Sequence, residues 1–343
     1  MSINPLFRMI TGVLIAVPLA LAAHAQNAPL NPRVALKTGA VGALSDAGIF
    51  IAYEKGFFRD EGLDIELVNF KTGPQIIPSV ATNQVQVSGT SPSPSLLNAL
   101  ARGVEMKLVA DKGQVSKGFG WAAICVRADL ADSIKDFKDL KGRKIALPSK
   151  GVSIFTQLNT ALELGGLTLN DVEIVEIGFP DMMAALANKA IDAAVLIEPF
   201  VALAVERKLA TRWKGVEDYY PVRAQNGVIM YAEKFAKEQP EAAKRWMVAF
   251  LRGVRAYRDA VTTGADRDGI NAILAKHTEV KNPALYQKMQ PIDFDPNGRV
   301  EVRSLDMDQD FYLKLGLQKE RADLGKLIDY QYVDYANARL GKR

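Results

Sequence analysis

The sequence predicts an α/β fold in two lobes, each a mostly parallel sheet with helices on both faces, joined by two hinge crossovers. Three observations predict it. Short apolar runs of β character alternate with amphipathic helical stretches, the order expected of parallel strands joined by covering helices. The pattern then restarts after Trp121. Finally, the halves echo each other. Gly62-Leu63-Asp64-Ile65-Glu66-Leu67-Val68 matches Asn170-Asp171-Val172-Glu173-Ile174-Val175, and Asn83-Gln84-Val85-Gln86-Val87 matches Lys189-Ala190-Ile191-Asp192-Ala193.

The elements follow in order. Arg33-Val34-Ala35-Leu36-Lys37 reads as the first strand and 47–58 as a helix closed near Gly56. Ile65-Glu66-Leu67-Val68 alternates with period two, the mark of a half-buried strand. A helix at 76–81, the strand Val85-Gln86-Val87, a helix at 93–102 and the strand Met106-Lys107-Leu108-Val109 complete the first half. In the second half, strands are predicted at 121–126, 144–147, 172–175 and 193–197. The helix at 154–164 stops at Gly165-Gly166, the usual C-terminal punctuation. Another helix is predicted at 182–187, and a further one runs through Leu209 with Pro199 at its first position.

Beyond Gly227 the strand Val228-Ile229-Met230-Tyr231 leads into a mostly helical tail. Pro240 opens a long helix with Met247, Phe250, Leu251, Val254, Tyr257 and Val261 on one face, a stripe that predicts core packing. Crossovers at 113–120 and 223–231 divide the chain into lobe one, 30–117 with 232–343, and lobe two, 118–231. The tail is expected to brace lobe one. Two strands joining two lobes make a cleft that can open and close.

Residues 1–25 read as a secretory signal peptide. Arg8 precedes an apolar run at 9–23, broken by Pro18, and Ala23-His24-Ala25 is a small-x-small cleavage pattern. The run is shorter than the roughly 20 residues of a membrane span. Cleavage after Ala25 is expected to leave a free periplasmic protein, because the one cysteine, Cys125, lies far from any lipid-anchoring position. One cysteine also forbids an internal disulfide framework. With 24% charged and 48% hydrophobic residues the chain is globular, and its length suits two lobes. A formal charge of +4, scattered among both signs, gives no nucleic-acid footprint, and a monomer is expected.

Enzymatic machinery is sparse. Without the leader, His277 is the one histidine, and it is far in sequence from Cys125, so neither a nucleophile pair nor a zinc site is expected. Phosphate-loop and nucleophile-elbow motifs are absent. No cofactor is expected. The positive signals are polar turns between strands and helices, where open α/β sheets bind ligands. They are Ser45-Asp46, Lys71-Thr72-Gly73-Pro74, Gly89-Thr90-Ser91, and Ser149-Lys150-Gly151-Val152-Ser153. Each also fits an ordinary helix cap. Asp181 in Phe179-Pro180-Asp181 and Glu198 in Ile197-Glu198-Pro199-Phe200 belong at the same mouth, as capping or ligand-binding groups. Phe119 and Trp121, at the first crossover, offer rings to pack or to stack on a planar solute.

Several stretches carry a family resemblance. They are Ala52-Tyr53-Glu54-Lys55-Gly56-Phe57-Phe58, Glu61-Gly62-Leu63-Asp64-Ile65-Glu66-Leu67-Val68, Asp139-Leu140-Lys141-Gly142-Arg143-Lys144-Ile145-Ala146, Ile191-Asp192-Ala193-Ala194 and Glu198-Pro199-Phe200. In these the chain resembles the NitT/TauT-type (SsuA/THI5-like) substrate-binding proteins of ABC importers, the nitrate, taurine and alkanesulfonate binders. The resemblance implies a type II periplasmic-binding-protein fold that closes like a jaw and hands its solute to membrane permease subunits. It also implies ligand contacts at Ser45, at Thr90 and Ser91, and at Ser149 and Ser153. Where many relatives have Gly-Gln-Val-Asp, this chain has Asn83-Gln84-Val85-Gln86, which leaves the subgroup open.

The expected solute is a small anion: a sulfonate, carboxylate or nitrate-like species. A pyrimidine or other aromatic solute is the alternative. An enzyme related to pyrimidine synthases is a weaker reading, because such enzymes need a histidine donor and a cysteine-rich iron site. A ligand-sensing subunit without transport is the remaining one.

Overall fold

The computed structural model describes residues 28–70 and 73–343. The expected leader and its cleavage site, with Lys71 and Thr72, lie outside the described residues. Twelve strands are present: β1 Val34–Ala40, β2 Leu63–Asn69, β3 Val87–Thr90, β4 Met106–Asp111, β5 Gln114–Val115, β6 Ala122–Arg127, β7 Lys144–Leu147, β8 Glu173–Glu176, β9 Ala193–Ile197, β10 Ala210–Gly215, β11 Ala224–Gln225 and β12 Val228–Ala232. Two five-stranded sheets form, in the orders β2-β1-β3-β12-β4 and β10-β6-β9-β7-β8. Between them β5 pairs antiparallel with β11, Val115 opposite Ala224 and Gln114 opposite Gln225.

Each sheet is parallel except for one reversed strand. β12 runs antiparallel to β3 and β4, and β6 runs antiparallel to β9 and β10. The cause is the hinge. β6 follows β5 and β12 follows β11, so each chain segment enters its sheet at the C-terminal ends of the parallel strands. It must then run away from that mouth. β12 hydrogen-bonds in the first sheet, so the stretch Val228–Ala232 belongs there and not with the second lobe, where the sequence division at 231 put most of it.

Four local expectations shift. The third strand is Val87–Thr90, not Val85-Gln86-Val87, because the chain turns at Asn83 in a left-handed conformation (φ 58°) before it reaches the sheet. The helix expected over 47–58 breaks into Ala47–Glu54 and Phe57–Asp60 around Gly56, whose φ of 76° a glycine adopts without strain. Pro199 caps the helix Phe200–Glu206 instead of occupying its first position, and its peptide bond to Glu198 is cis. The helix expected through Leu209 ends at Glu206, and β10 follows on residues given no element in the sequence; it pairs along β6.

The long helix Pro240–Thr263 begins at Pro240 as expected and buries its apolar stripe against the helix Ala47–Glu54. The approach is close at Gly253, where a methyl group would run into the Gly48 carbonyl oxygen. Two polar pins fix the tail on the first sheet. Trp246 Nε1 donates to Thr38 Oγ1 of β1 (3.1 Å), and the Tyr231 hydroxyl of β12 donates to the Ala243 carbonyl (2.8 Å). The tail does more than brace lobe one. Its helix Val302–Lys314 also packs on the helix Ser153–Leu164 beside the second sheet, with Phe155 and Phe311 edge to face at 5.1 Å.

Candidate functional site

The parallel strands of both sheets point their C-terminal ends at the hinge, so the turns that follow them face one seam. On the first wall, Asp46 accepts from the backbone N–H of Val41 (3.0 Å) and Ala43 (3.2 Å), folding the turn after β1 back on itself. Its other carboxylate oxygen lies 2.8 Å from Lys112 Nζ, and Lys112 also donates to Ser45 Oγ at 3.0 Å. Lys112 and Asp46 are both buried. The lysine stem reaches them because Gly89 and Gly227 carry no side chain; a methyl group at either would press on it. Asp46 thus shapes the turn with one carboxylate oxygen and pairs with Lys112 through the other.

The hinge itself is tied by Asp111, which accepts from Gly113 N–H (2.8 Å), Asp295 N–H (2.8 Å) and Gln225 Nε2 (2.6 Å). Burial, partly offset by these bonds, pushes its carboxyl up to about 7. Gln225 Nε2 also reaches the Gly227 carbonyl at 2.6 Å, so one amide gathers both crossing strands.

On the second wall, Ser149 Oγ accepts from Gly151 N–H (3.0 Å) and shapes the turn after β7. Ser153 then opens the helix Ser153–Leu164, its side chain buried. The two walls meet here. Ser153 N–H donates to Ser91 Oγ at 3.3 Å, and the two hydroxyls are 3.2 Å apart. One turn later Gln157 Nε2 donates to Asn226 Oδ1 (3.3 Å) on the second crossing. Glu198, buried at the end of β9, accepts from Ala202 N–H (3.0 Å) in its own helix and from Gln290 N–H (3.1 Å) in the tail. Burial, opposed by those bonds and by Arg212, pushes its carboxyl up to about 7. Glu198 thus caps a helix and bridges wall to tail.

Ser45, Thr90, Ser91, Ser149, Ser153, Trp121 and Glu198 all stand on strand ends or turns that border the seam. Thr90 lies in the last position of β3 instead of in the turn. Asp181 stands apart. It is exposed in the first turn of Phe179–Ala187, the helix that follows β8 and stacks Phe179 on Phe200, and takes no part in the cross-wall bonds among the described residues. Lys150, expected as a cation at the mouth, is exposed and pairs with Glu176. The mouth cation is Lys112, which sequence reasoning missed along with Gln157, Asn226 and Gln290. A lysine between Asp111 and Gly113, at the end of a buried strand, was the available signal.

Several buried polar atoms here have no hydrogen-bond partner among the described residues: Thr90 Oγ1, Trp121 Nε1, Gln157 Oε1 and Gln114 Oε1. Such orphans are rare in folded proteins and call for an explanation. Reactive groups lie elsewhere. Cys125 is buried in β6, its thiol pushed up to about 12 by burial and then by Glu198. His277 stacks on Phe50 (4.7 Å) and sits 2.7 Å from Glu54, on the tail helix Arg267–His277. Among the described residues no three His, Cys, Asp or Glu side chains are grouped to hold a metal.

Known proteins share this architecture. A Bacillus subtilis (strain 168) protein described as "Putative aliphatic sulfonates-binding protein" is 29% identical over 262 residues, covering 74% of this chain and 75% of that protein. The alkanesulfonate-binding protein SsuA from Xanthomonas axonopodis pv. citri, solved bound to MOPS, superposes with a TM-score of 0.69 at 18% identity, over 88% of this chain and all of that one. An enzyme also shares the fold. DSZB in complex with biphenyl-2-sulfinic acid gives a TM-score of 0.65 at 16% identity, over 90% of this chain and 99% of that one. A family model described as "NMT1/THI5 like" matches residues 45–260, from the Ser45 turn through both sheets and the hinge into the long tail helix. The chain belongs to the NMT1/THI5-like family.

Proposed function

We propose that this chain is the periplasmic solute-binding component of an ABC importer, which captures a small organic anion of the sulfonate or carboxylate type between its lobes. The observation that carries the reading is the contact of Ser91 with Ser153 across the seam. A hydroxyl from the first wall there occupies a backbone N–H at the start of a twelve-residue helix on the second. Helix N-termini favour negative charge, so an oxyanion entering the seam would take over that N–H. The sulfonate-binding relatives agree with this chemistry.

In this reading Ser45, Thr90, Ser91, Ser149 and Ser153 line the site and the β5/β11 pair is the hinge of the jaw. The leader directs export and is removed after Ala25. The protein works as a monomer that docks on permease subunits, and it releases its solute unchanged. The buried thiol and the distant histidine support binding without catalysis.

The test is a thermal-shift and calorimetric screen of the purified protein against methanesulfonate, MOPS, taurine, benzoate, nitrate and pyrimidines. A ligand specific to the native state raises the melting temperature by mass action. Saturable sulfonate or carboxylate binding, weakened in S91A and S153A, is the expected outcome. Chemical turnover of a bound compound, or binding confined to pyrimidines, would overturn the reading.

A further inference from the structure

The buried indole at the mouth carries an inference that rests on the reading of the seam as the solute site. We propose that Trp121 meets the solute through its indole N–H, so that the solute sets a hydrogen-bond acceptor against the second wall and the ring face is not the recognition element. Trp121 directly precedes β6, the reversed strand of the second sheet, and reversal is what brings its start to the mouth. The position is fixed: the Trp121 carbonyl accepts the Glu198 N–H at 2.7 Å, and the next residue, Ala122, pairs with Ile197.

The ring has little face to offer. Trp121 is 4% exposed and packs in the main hydrophobic cluster, so a solute could not lie flat on it without displacing protein. The indole nitrogen is a donor only. It finds no acceptor among the described residues, although it is buried. The acceptors of the adjoining backbone and carboxylate are taken. Both Glu198 oxygens receive backbone N–H groups, and the Gly120 carbonyl receives Arg212.

Thr90, on the opposite wall, is also buried, its hydroxyl unpartnered among the described residues. With the Ser153 N–H, which a solute would have to take over from Ser91 Oγ, the two walls carry three neutral donors, while the buried cation is already balanced by Asp46. A sulfonate directs three oxygens away from one sulfur and can face both walls at once. A carboxylate has two oxygens in one plane. The donor set therefore favours a sulfonate-type head group over a carboxylate.

The experiment compares wild type, Trp121→Phe, Trp121→Ala and Thr90→Val by titration calorimetry with methanesulfonate and MOPS, with acetate as the planar control. Melting temperatures are recorded without ligand. Phenylalanine keeps a large apolar ring and deletes the donor. Trp121→Phe should weaken sulfonate binding about tenfold, the loss of one hydrogen bond to a charged acceptor. Its ligand-free melting temperature records the packing lost with the smaller ring, separately from the loss of binding. Thr90→Val should show the same split, and acetate should bind wild type more weakly than methanesulfonate.

Sulfonate binding by Trp121→Phe within about twofold of wild type would overturn the proposal. If wild type binds none of these anions, the underlying reading fails and the proposal falls with it. That result is distinct from wild type binding while Trp121→Phe is unaffected.

Discussion

The Lys112–Asp46 pair permits a sharp test of what holds the first wall together. Replacing Lys112 by methionine keeps an unbranched stem in its slot between Gly89 and Gly227 and deletes the charge with its hydrogen bond to Ser45. Asp46, fully buried, then keeps its two backbone N–H bonds and loses its one ion-pair partner among the described residues. Breaking a buried pair on one side costs about 3–5 kcal/mol. Because the two amides remain, the lower end applies, and K112M should lose about 3 kcal/mol of stability. The double variant D46N/K112M removes both charges and should recover all but about 1–2 kcal/mol, since a buried pair is often little better than a neutral replacement. Urea unfolding followed by circular dichroism and tryptophan fluorescence measures both values, and an unchanged m-value would confirm that the native state is intact. Two results refute the reasoning: K112M within about 1 kcal/mol of wild type, or a double variant no more stable than K112M.

Three other outcomes are expected. Burial raises Asp111 and Glu198 to about 7, so the folded state holds their protons more tightly than the unfolded chain. Their stabilisation is therefore complete below the ordinary carboxylate range and is lost as pH rises from about 4 to 7, by at most about 3–4 kcal/mol each. E198Q should flatten the fall of melting temperature across that window, and an unchanged slope would count against it. Gly253→Ala places a methyl group against the Gly48 carbonyl oxygen and should cost about 3 kcal/mol, read by the same urea unfolding; full stability would mean that the helices separate without strain. Cys125, with its thiol near 12, should resist a disulfide reagent at pH 8 in the native protein and react only on unfolding, whereas modification within minutes would contradict its burial.

Much of the fold is written in local pattern. β7, β9 and the start of the helix Pro240–Thr263 fall where periodicity and punctuation put them, because a strand's alternation or a proline's fixed φ acts within a few residues. The misses share a different cause. β3 is Val-Ser-Gly-Thr, with one large apolar side chain; it is buried because β1 and β12 flank it and because Ser88 Oγ donates to the Gly39 carbonyl at 2.9 Å. β10, Ala-Thr-Arg-Trp-Lys-Gly, is polar enough to pass for a loop and becomes a strand at a sheet edge only because β6 is there to pair with it.

The site divides along the same line. A serine at a strand-to-helix turn is visible in sequence because the backbone geometry that makes it useful is local, and Ser91 and Ser153 were found that way. What such a serine touches is not local: these two are 62 positions apart, and Lys112 reaches Ser45 across 67. Asp46 shows why one residue type supports two readings. The carboxylate that would cap a helix or bind a solute was instead neutralised by a lysine beyond its own half-dozen residues. Trp121 is the clearest case. Its sequence context suggested a ring to pack or to stack, and the direction of β6 puts its backbone at the mouth beside Glu198. Strand direction follows from the hinge: a chain that crosses into a sheet at its mouth has to leave toward the far end. The two reversed strands are therefore a consequence of building a jaw from one chain, and they set residues 121 and 226–228 beside the solute seam whatever their local propensity.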